Sequence, residues 1–173
     1  MRRQVTTKPE AKEKEATEFD LGNRPPSLGE IGLDHFAPYL INRISARWNT
    51  DLHERLKEHN FTTIQMRVLA ILSVMAGITV NELAVFAVTE QSTMSRTLHG
   101  MEREGLVRRQ NRPGDMRVRE LHLTEQGRDA FRQIWPLMHG SLEHMFEGFS
   151  DEECETLIGL LTRVLRNIRR HDF

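Results

Sequence analysis

Cysteine is almost absent: Cys154 is the only one in 173 residues. No disulfide can form within the chain, and the sequence suits a reducing compartment. Long apolar runs are missing too. The most apolar window, Val68 to Ile78, is interrupted by Ser73 and falls well short of the roughly 20 residues a membrane-spanning helix needs. The opening stretch, MRRQVTTKPEAKEKEATEFD, has no hydrophobic centre and does not read as a secretory signal. A cytoplasmic protein with no membrane partner is expected. Net charge is nearly missing as well, with 24 Lys+Arg against 25 Asp+Glu for a formal -1. As an average, that argues against a nucleic-acid partner unless the charges are unevenly placed. Aromatic residues make up only 6%, but hydrophobic residues reach 38%, enough for one domain-sized core.

Catalytic signatures are also lacking. There is no Gly-rich phosphate loop, no HExxH and no nucleophile elbow, so no catalytic residue and no cofactor is assigned. The eight His residues form no tight cluster. His139 and Glu143 are four apart and His144 adjoins, short of the three or four convergent ligands of a zinc site, so no metal is assigned.

Residues 1–30 differ in character from the rest of the chain. Six basic and six acidic residues accompany few apolar ones, and Pro25-Pro26 stops any helix. Such a segment is expected to be a mobile charged arm, with a frayed helix near 10–19 at most. From there the helical period takes over. Leu33, Phe36, Leu40, Ile44, Trp48, Leu52 and Leu56 predict one buried stripe on a first helix. A second helix starts at Thr62 or Thr63, with Ile64, Val68, Leu69, Leu72 and Met75 inward, and ends at Gly77. Thr79-Val80-Asn81-Glu82 fits a capping box that opens a short third helix, to about Ala87. A fourth runs from Thr89 to Gly105. Leu106 to Arg109 and Met116 to Leu123 predict two strands around a Pro113-Gly114 turn. A fifth helix begins near Thr124, with Ala130, Ile134, Met138, Leu142 and Met145 inward and a kink expected at Pro136. Ser150 to Glu153 is a second capping box, opening a last helix. The fold class is mostly α with one β-hairpin.

The stretch 79–123 carries the chemistry. Two helices joined by a tight turn at Ala87-Val88-Thr89 form a helix-turn-helix candidate. In its second helix Val88, Met94, Leu98 and Met101 make the buried stripe, while Gln91, Ser92, Thr93, Ser95, Arg96 and His99 are assigned to the DNA-facing side. Short hydroxyls can approach phosphates and base edges, and an Arg can bond bidentately to guanine. A solvated helix face would show similar composition. The hairpin tips the balance. Between Arg103 and Arg119 there are six Arg against Glu104 and Asp115, a local +4 in a chain that totals -1. With the arm balanced, the remainder must be -5. A basic hairpin after a helix-turn-helix forms a winged arrangement in which Arg112, Asp115, Arg117 and Arg119 are the candidate wing contacts. The competing explanation is a charged edge that deters aggregation.

The run NELAVFAVTEQSTMSRTLHGMEREGLVRRQNRPGDMRVRELHLTEQGR resembles the winged-helix core of the MarR family of bacterial transcription regulators. The pattern that carries it is Ser92-x-x-x-Arg96, then Met101-Glu102-x-x-Gly105-Leu106-Val107-x-Arg109, then Asp115-x-Arg117, then Leu121-x-Leu123-Thr124-x-x-Gly127. It covers roughly residues 33–170. The resemblance implies a homodimer in which the first, fifth and sixth helices intertwine and two winged helices straddle a pseudo-palindromic double-stranded operator. It further implies that Arg117 reaches DNA while Asp115 orients neighbouring Arg side chains. Leu157, Leu161, Val164 and Ile168 independently ask for a partner surface, and are assigned to dimerisation; packing within one chain is the alternative. The expected organisation is a charged arm at 1–30, a dimerisation region from 31–60 and 125–173, and a DNA-binding domain at 61–124.

By the same resemblance, a small aromatic anion would release the DNA. His35, Tyr39, Arg43 and Trp48 on the first helix are the candidate ligand residues, since an Arg beside aromatic groups can hold an acid group over an apolar floor. The wording PYLINRISARWN followed by AVTEQSTMSRTL is similar to the branch that responds to hydroxycinnamoyl-CoA thioesters, so an aromatic carboxylate or its CoA thioester is the expected effector. A redox- or metal-responsive regulator is the alternative mode, but Cys154 does not match the family's peroxide-sensing position. A helical protein-interaction module without DNA binding is the alternative class; it leaves the Arg-rich hairpin unexplained. The expected function is a DNA-binding transcription regulator that acts as a repressor.

Overall fold

The computed structural model describes residues 24–169 and 171. Most of the charged arm, and the helix expected near 10–19, lie outside the described residues. Two compact units are separated, 1–42 and 43–173. In the first, α1 (Leu28–Ile31) is a single turn capped reciprocally by Ser27 and Glu30. Glu30 also accepts from both terminal nitrogens of Arg24, at 2.7 and 3.1 Å. The arm read over 1–30 therefore ends in a capped turn that forms once Pro25-Pro26 is passed. A 3-10 turn at Leu33–His35 comes next. Then α2 (Ala37–Lys57) begins, with Pro38 tolerated in its first turn.

The second unit continues through α3 (Thr63–Val74), α4 (Val80–Phe86), α5 (Gln91–Arg103), β1 (Val107–Arg112), β2 (Asp115–Leu123), α6 (Glu125–Met145) and α7 (Asp151–Ile168). Both expected capping boxes are present, Thr79 with Glu82 and Ser150 with Glu153. A further one, Thr62 with Gln65, opens α3. Gly77 and Gly105 take φ of 84° and 72°, the left-handed backbone that lets each chain segment turn after its helix. Strands β1 and β2 pair antiparallel from Val107↔Leu123, with a bulge between Asn111 and Arg112. Ile78 adds a bridge to Leu121, tying the α3–α4 connection to the hairpin. Among the described residues no helix is long and apolar enough to cross a membrane.

One hydrophobic core lies under these elements. Leu52 and Leu56 of α2, Val68 and Leu69 of α3, Leu83 of α4, Met94, Leu98 and Met101 of α5, Leu121 of β2 and Ile134 of α6 are all buried. Each such side chain contributes about 1.5–3 kcal/mol by leaving water. Several expected core positions are not in it. Leu33, Phe36, Leu40 and Ile44 are exposed, Trp48 is half-buried, and only Leu52 and Leu56 complete the first-helix stripe. Met75, Leu142 and Met145 are exposed too. Helical period marks an apolar face without saying whether the cover comes from the same chain. Val88 is 83% exposed at φ 51°, because it forms the turn rather than the start of the next helix. That helix opens at Gln91 instead of Thr89. The fifth helix runs unbroken through Pro136 from Glu125 to Met145.

Candidate nucleic-acid interface

The helix-turn-helix is held from below. Arg67 of α3 donates to the carbonyl oxygen of Ala87 at 2.9 Å and to Asn49 Oδ1 of α2 at 2.7 Å. Ala87 is the last residue before the left-handed Val88, so one guanidinium fixes the turn against two helices. Met94, Leu98 and Met101 then anchor α5 in the core and leave its other side outward. Gln91, Ser92, Arg96 and His99 are exposed there, while Thr93 and Ser95 are half-buried. Arg96 donates from Nε to the Ser92 carbonyl oxygen at 3.3 Å, which leaves its two terminal nitrogens for another acceptor.

The start of α5 differs from its neighbours. Ser or Thr side chains cap α3, α4, α6 and α7. Glu90 precedes α5 and makes no side-chain cap bond. The first N–H groups of α5 are therefore left for an outside acceptor, and a phosphate oxygen is the natural one at the positive end of a helix.

In the wing, the arginines divide into held and free. Arg112 donates to Glu120 Oε1 at 2.6 Å, and the Arg109 guanidinium faces Glu102 Oε1 at 3.4 Å. The Arg112 bond keeps the Glu120 carboxyl below its ordinary 4.5. Arg117 and Arg119 are exposed and take no carboxylate partner among the described residues. Asp115 accepts from the backbone N–H of Arg117 at 3.0 Å, so it shapes the tip through the main chain. Met116, between them, is also exposed. Glu102 and Glu120 lie one residue outside the 103–119 stretch that counts +4; including them lowers it to +2. The signal that finds them is a wider charge window; of the two arginines they hold, Arg109 is half-buried and Arg112 stands exposed beside the turn.

The wing is tied to α6 by Thr124, whose hydroxyl donates to the Gly105 and Leu106 carbonyl oxygens and accepts from the Gly127 N–H. Gly127 packs so closely on Leu106 that the Leu123-Thr124-x-x-Gly127 pattern acquires a structural cause.

Of the candidate ligand residues, His35 is exposed and pairs with Asp34 at 3.1 Å, Arg43 is exposed, and Tyr39 and Trp48 are half-buried. His35 and Tyr39 belong to the first unit, Arg43 and Trp48 to the second. Trp48 packs against the core, as a stripe residue would. Of the dimerisation residues, Leu161, Val164 and Ile168 are exposed and Leu157 is half-buried; α7 has no buried residue at all. Cys154 is half-buried in the first turn of α7. His139 pairs with Glu143 at 3.5 Å and His144 with Glu147 at 3.2 Å.

Comparison with known proteins matches this geometry. A family model described as MarR family fits residues 61–118, which span α3 to the middle of β2. The repressor IacR of Pseudomonas putida is 24% identical over 143 residues, covering 83% of this chain and 86% of that protein. A MarR-family transcriptional regulator from Silicibacter pomeroyi is 41% identical, with a TM-score of 0.80, covering 86% of this chain and 100% of the other. A mutant MarR from E. coli, solved with operator DNA, is 26% identical with a TM-score of 0.63, covering 74% of this chain and 92% of that one. With a helix-turn-helix, an Arg-rich hairpin and a likeness at 41% identity over 86% of its length, the chain belongs to the MarR family of transcriptional regulators.

Proposed function

We propose that this regulator represses transcription as a homodimer, laying two α5 helices into successive major grooves of a pseudo-palindromic operator. The single observation that carries it is the uncapped, outward face of α5 beside the exposed Arg117 and Arg119 of the wing. Gln91, Ser92, Arg96 and His99 face base edges, with Thr93 and Ser95 closer to the phosphates. Residues 61–124 form the DNA-binding domain. Residues 31–60 and 125–173 form the dimerisation region, where the exposed apolar positions of α7 find their cover in a second copy. The fit of this chain to a regulator solved with operator DNA supports the arrangement. The effector is a small aromatic carboxylate or its CoA thioester, with Arg43 and Trp48 as its candidate contacts within the second unit, and its binding releases the operator. The cytoplasm is the compartment in which operator DNA is met.

Fluorescence anisotropy on operator and random duplexes tests the contacts. Arg96→Ala should lose roughly 1–3 kcal/mol of discrimination between the two duplexes, and Arg117→Ala should weaken both alike. Adding the free acid or its CoA thioester to the preformed complex should lower the anisotropy. Equal, negligible effects from both variants would refute the orientation, and no response to either compound would remove the effector class.

A further inference from the structure

The tip of the wing carries more than charge. Asn111 pairs with Arg119, but the next residue, Arg112, pairs with Asp115. Met116, Arg117 and Val118 therefore fall between the partners of two consecutive β1 residues, an enlarged bulge on one strand. Bulges bend a strand and re-aim the side chains within them. This one is held at both ends. Asp115 Oδ1 accepts from the Arg117 N–H at 3.0 Å, and Arg112, on the facing strand, donates to Glu120 Oε1 at 2.6 Å. Gly114, in the turn just before, takes φ of 86°, with nothing within 4 Å of the place a Cβ would occupy. The tip is a shaped and open projection.

Its large apolar side chain, Met116, is 74% exposed. The other exposed methionines among the described residues, Met75 and Met145, are 37% and 39% exposed and stand at helix ends. Met66, Met94 and Met101 are buried in the core. Single exposed apolar residues are ordinary, so exposure alone identifies no contact. What sets Met116 apart is its place inside the bulge, next in the chain to the exposed Arg117. Proteins that enter the minor groove combine these two kinds of group. A cation is drawn in by the negative potential, and an apolar side chain presses between base steps and unstacks them. Methionine suits the second task, being unbranched, flexible at three bonds and polarizable at sulfur where it meets an aromatic ring. Unstacking costs least at pyrimidine–purine steps, which kink easily.

We propose that Met116 is a sequence-selecting residue of the wing: its thioether presses into the minor groove and favours operators with a TA or CA/TG step beneath the tip. This role rests on the reading of the wing as an operator contact, and adds a source of specificity to it. Arg117 supplies affinity on any sequence, while Met116 supplies preference through the cost of deforming each step. No hydrogen bond to a base is involved, so the α5 contacts in the major groove do not account for it.

Selection from a library of random duplexes tests this on the full chain, with Met116→Ala, Met116→Gln and Met116→Leu beside the wild type. Because Met116 is exposed, all three should keep the wild-type circular dichroism. Wild type should enrich TA or CA/TG over AA at a fixed distance from each half-site, by about fivefold, the low end of what one changed base pair costs. Met116→Leu should retain that preference, whereas Met116→Ala and Met116→Gln should lose it while selecting the same half-sites. 2-Aminopurine placed in the selected step should brighten on wild-type binding, as an unstacked base does, and stay dim with Met116→Ala. Half-sites enriched with no step preference would overturn the proposal. So would a preference that Met116→Ala or Met116→Gln keeps, one that Met116→Leu loses, or a 2-aminopurine signal that wild type leaves unchanged. Enrichment of no sequence at all would overturn the operator reading itself, and this role with it, so the two failures are distinguishable.

Discussion

A methyl group added at Gly127 would lie 2.0 Å from the Leu106 carbonyl oxygen, a distance no side-chain carbon can hold. Gly127→Ala must therefore push α6 off the hairpin, and a loss of about 1–3 kcal/mol or more is expected from such overpacking. Gly140→Ala, in the same helix with nothing within 4 Å, is the control, and should be neutral or gain up to about 1 kcal/mol from helix propensity. Urea denaturation of both variants checks the pair; equal stabilities would contradict the packing. The sequence pattern contained Gly127 but not its reason, since a close backbone approach leaves no periodic trace. Val88 shows the opposite failure. Counted by helical spacing it belongs to a buried stripe, yet its φ of 51° places it in the turn and in solvent. One left-handed residue resets the period, and periodicity cannot detect that from an apolar side chain.

Among the elements, the wing has the sharpest electrostatic identity. Its Glu120 carboxyl is held below the ordinary 4.5, first by the Arg112 hydrogen bond and against the cost of burial. A depressed carboxyl stabilises the folded hairpin in full above its unfolded value, and that contribution is lost as pH falls through the lowered folded value. Melting temperature should thus fall on acidification below about pH 4.5, and fall less steeply in Glu120→Gln, which has already lost the group. Identical acid profiles would contradict the assignment. The elements themselves were largely legible, because Thr79-x-x-Glu82 and Ser150-x-x-Glu153 announce helix starts in the sequence and the structure has both capping boxes. The charge balance of the wing was less so. Glu102 and Glu120 come from the neighbouring helix and the far end of β2, and only the fold reveals that they hold Arg109 and Arg112.

At the scale of the whole molecule, exposed apolar surface and positive charge lie on different elements, α7 and the wing. Ile158, Leu161, Val164, Leu165 and Ile168 of α7 remain exposed, with Ile168 at 70%. An amphipathic helix this uncovered asks for a partner surface. Leu161→Glu/Val164→Glu should convert a dimer to a folded monomer in sedimentation and weaken operator binding, because two half-sites no longer act together. A variant that stays dimeric would contradict the assignment of α7. The stripe from Leu33 to Ile44 was visible in the sequence as apolar spacing. What covers it was not, since one chain's sequence does not say which faces meet a second copy.

The net charge of -1 averages over a molecule whose exposed wing arginines, Arg117 and Arg119, stand apart from the carboxylates that balance them in number. The central claim, that this face binds DNA through phosphates, is tested most directly by anisotropy of the wild-type chain on duplex DNA across a salt series. Affinity should fall linearly on a log–log plot, with a slope near -0.9 for each phosphate neutralised and several phosphates engaged. Absence of salt-dependent binding at low ionic strength would contradict it.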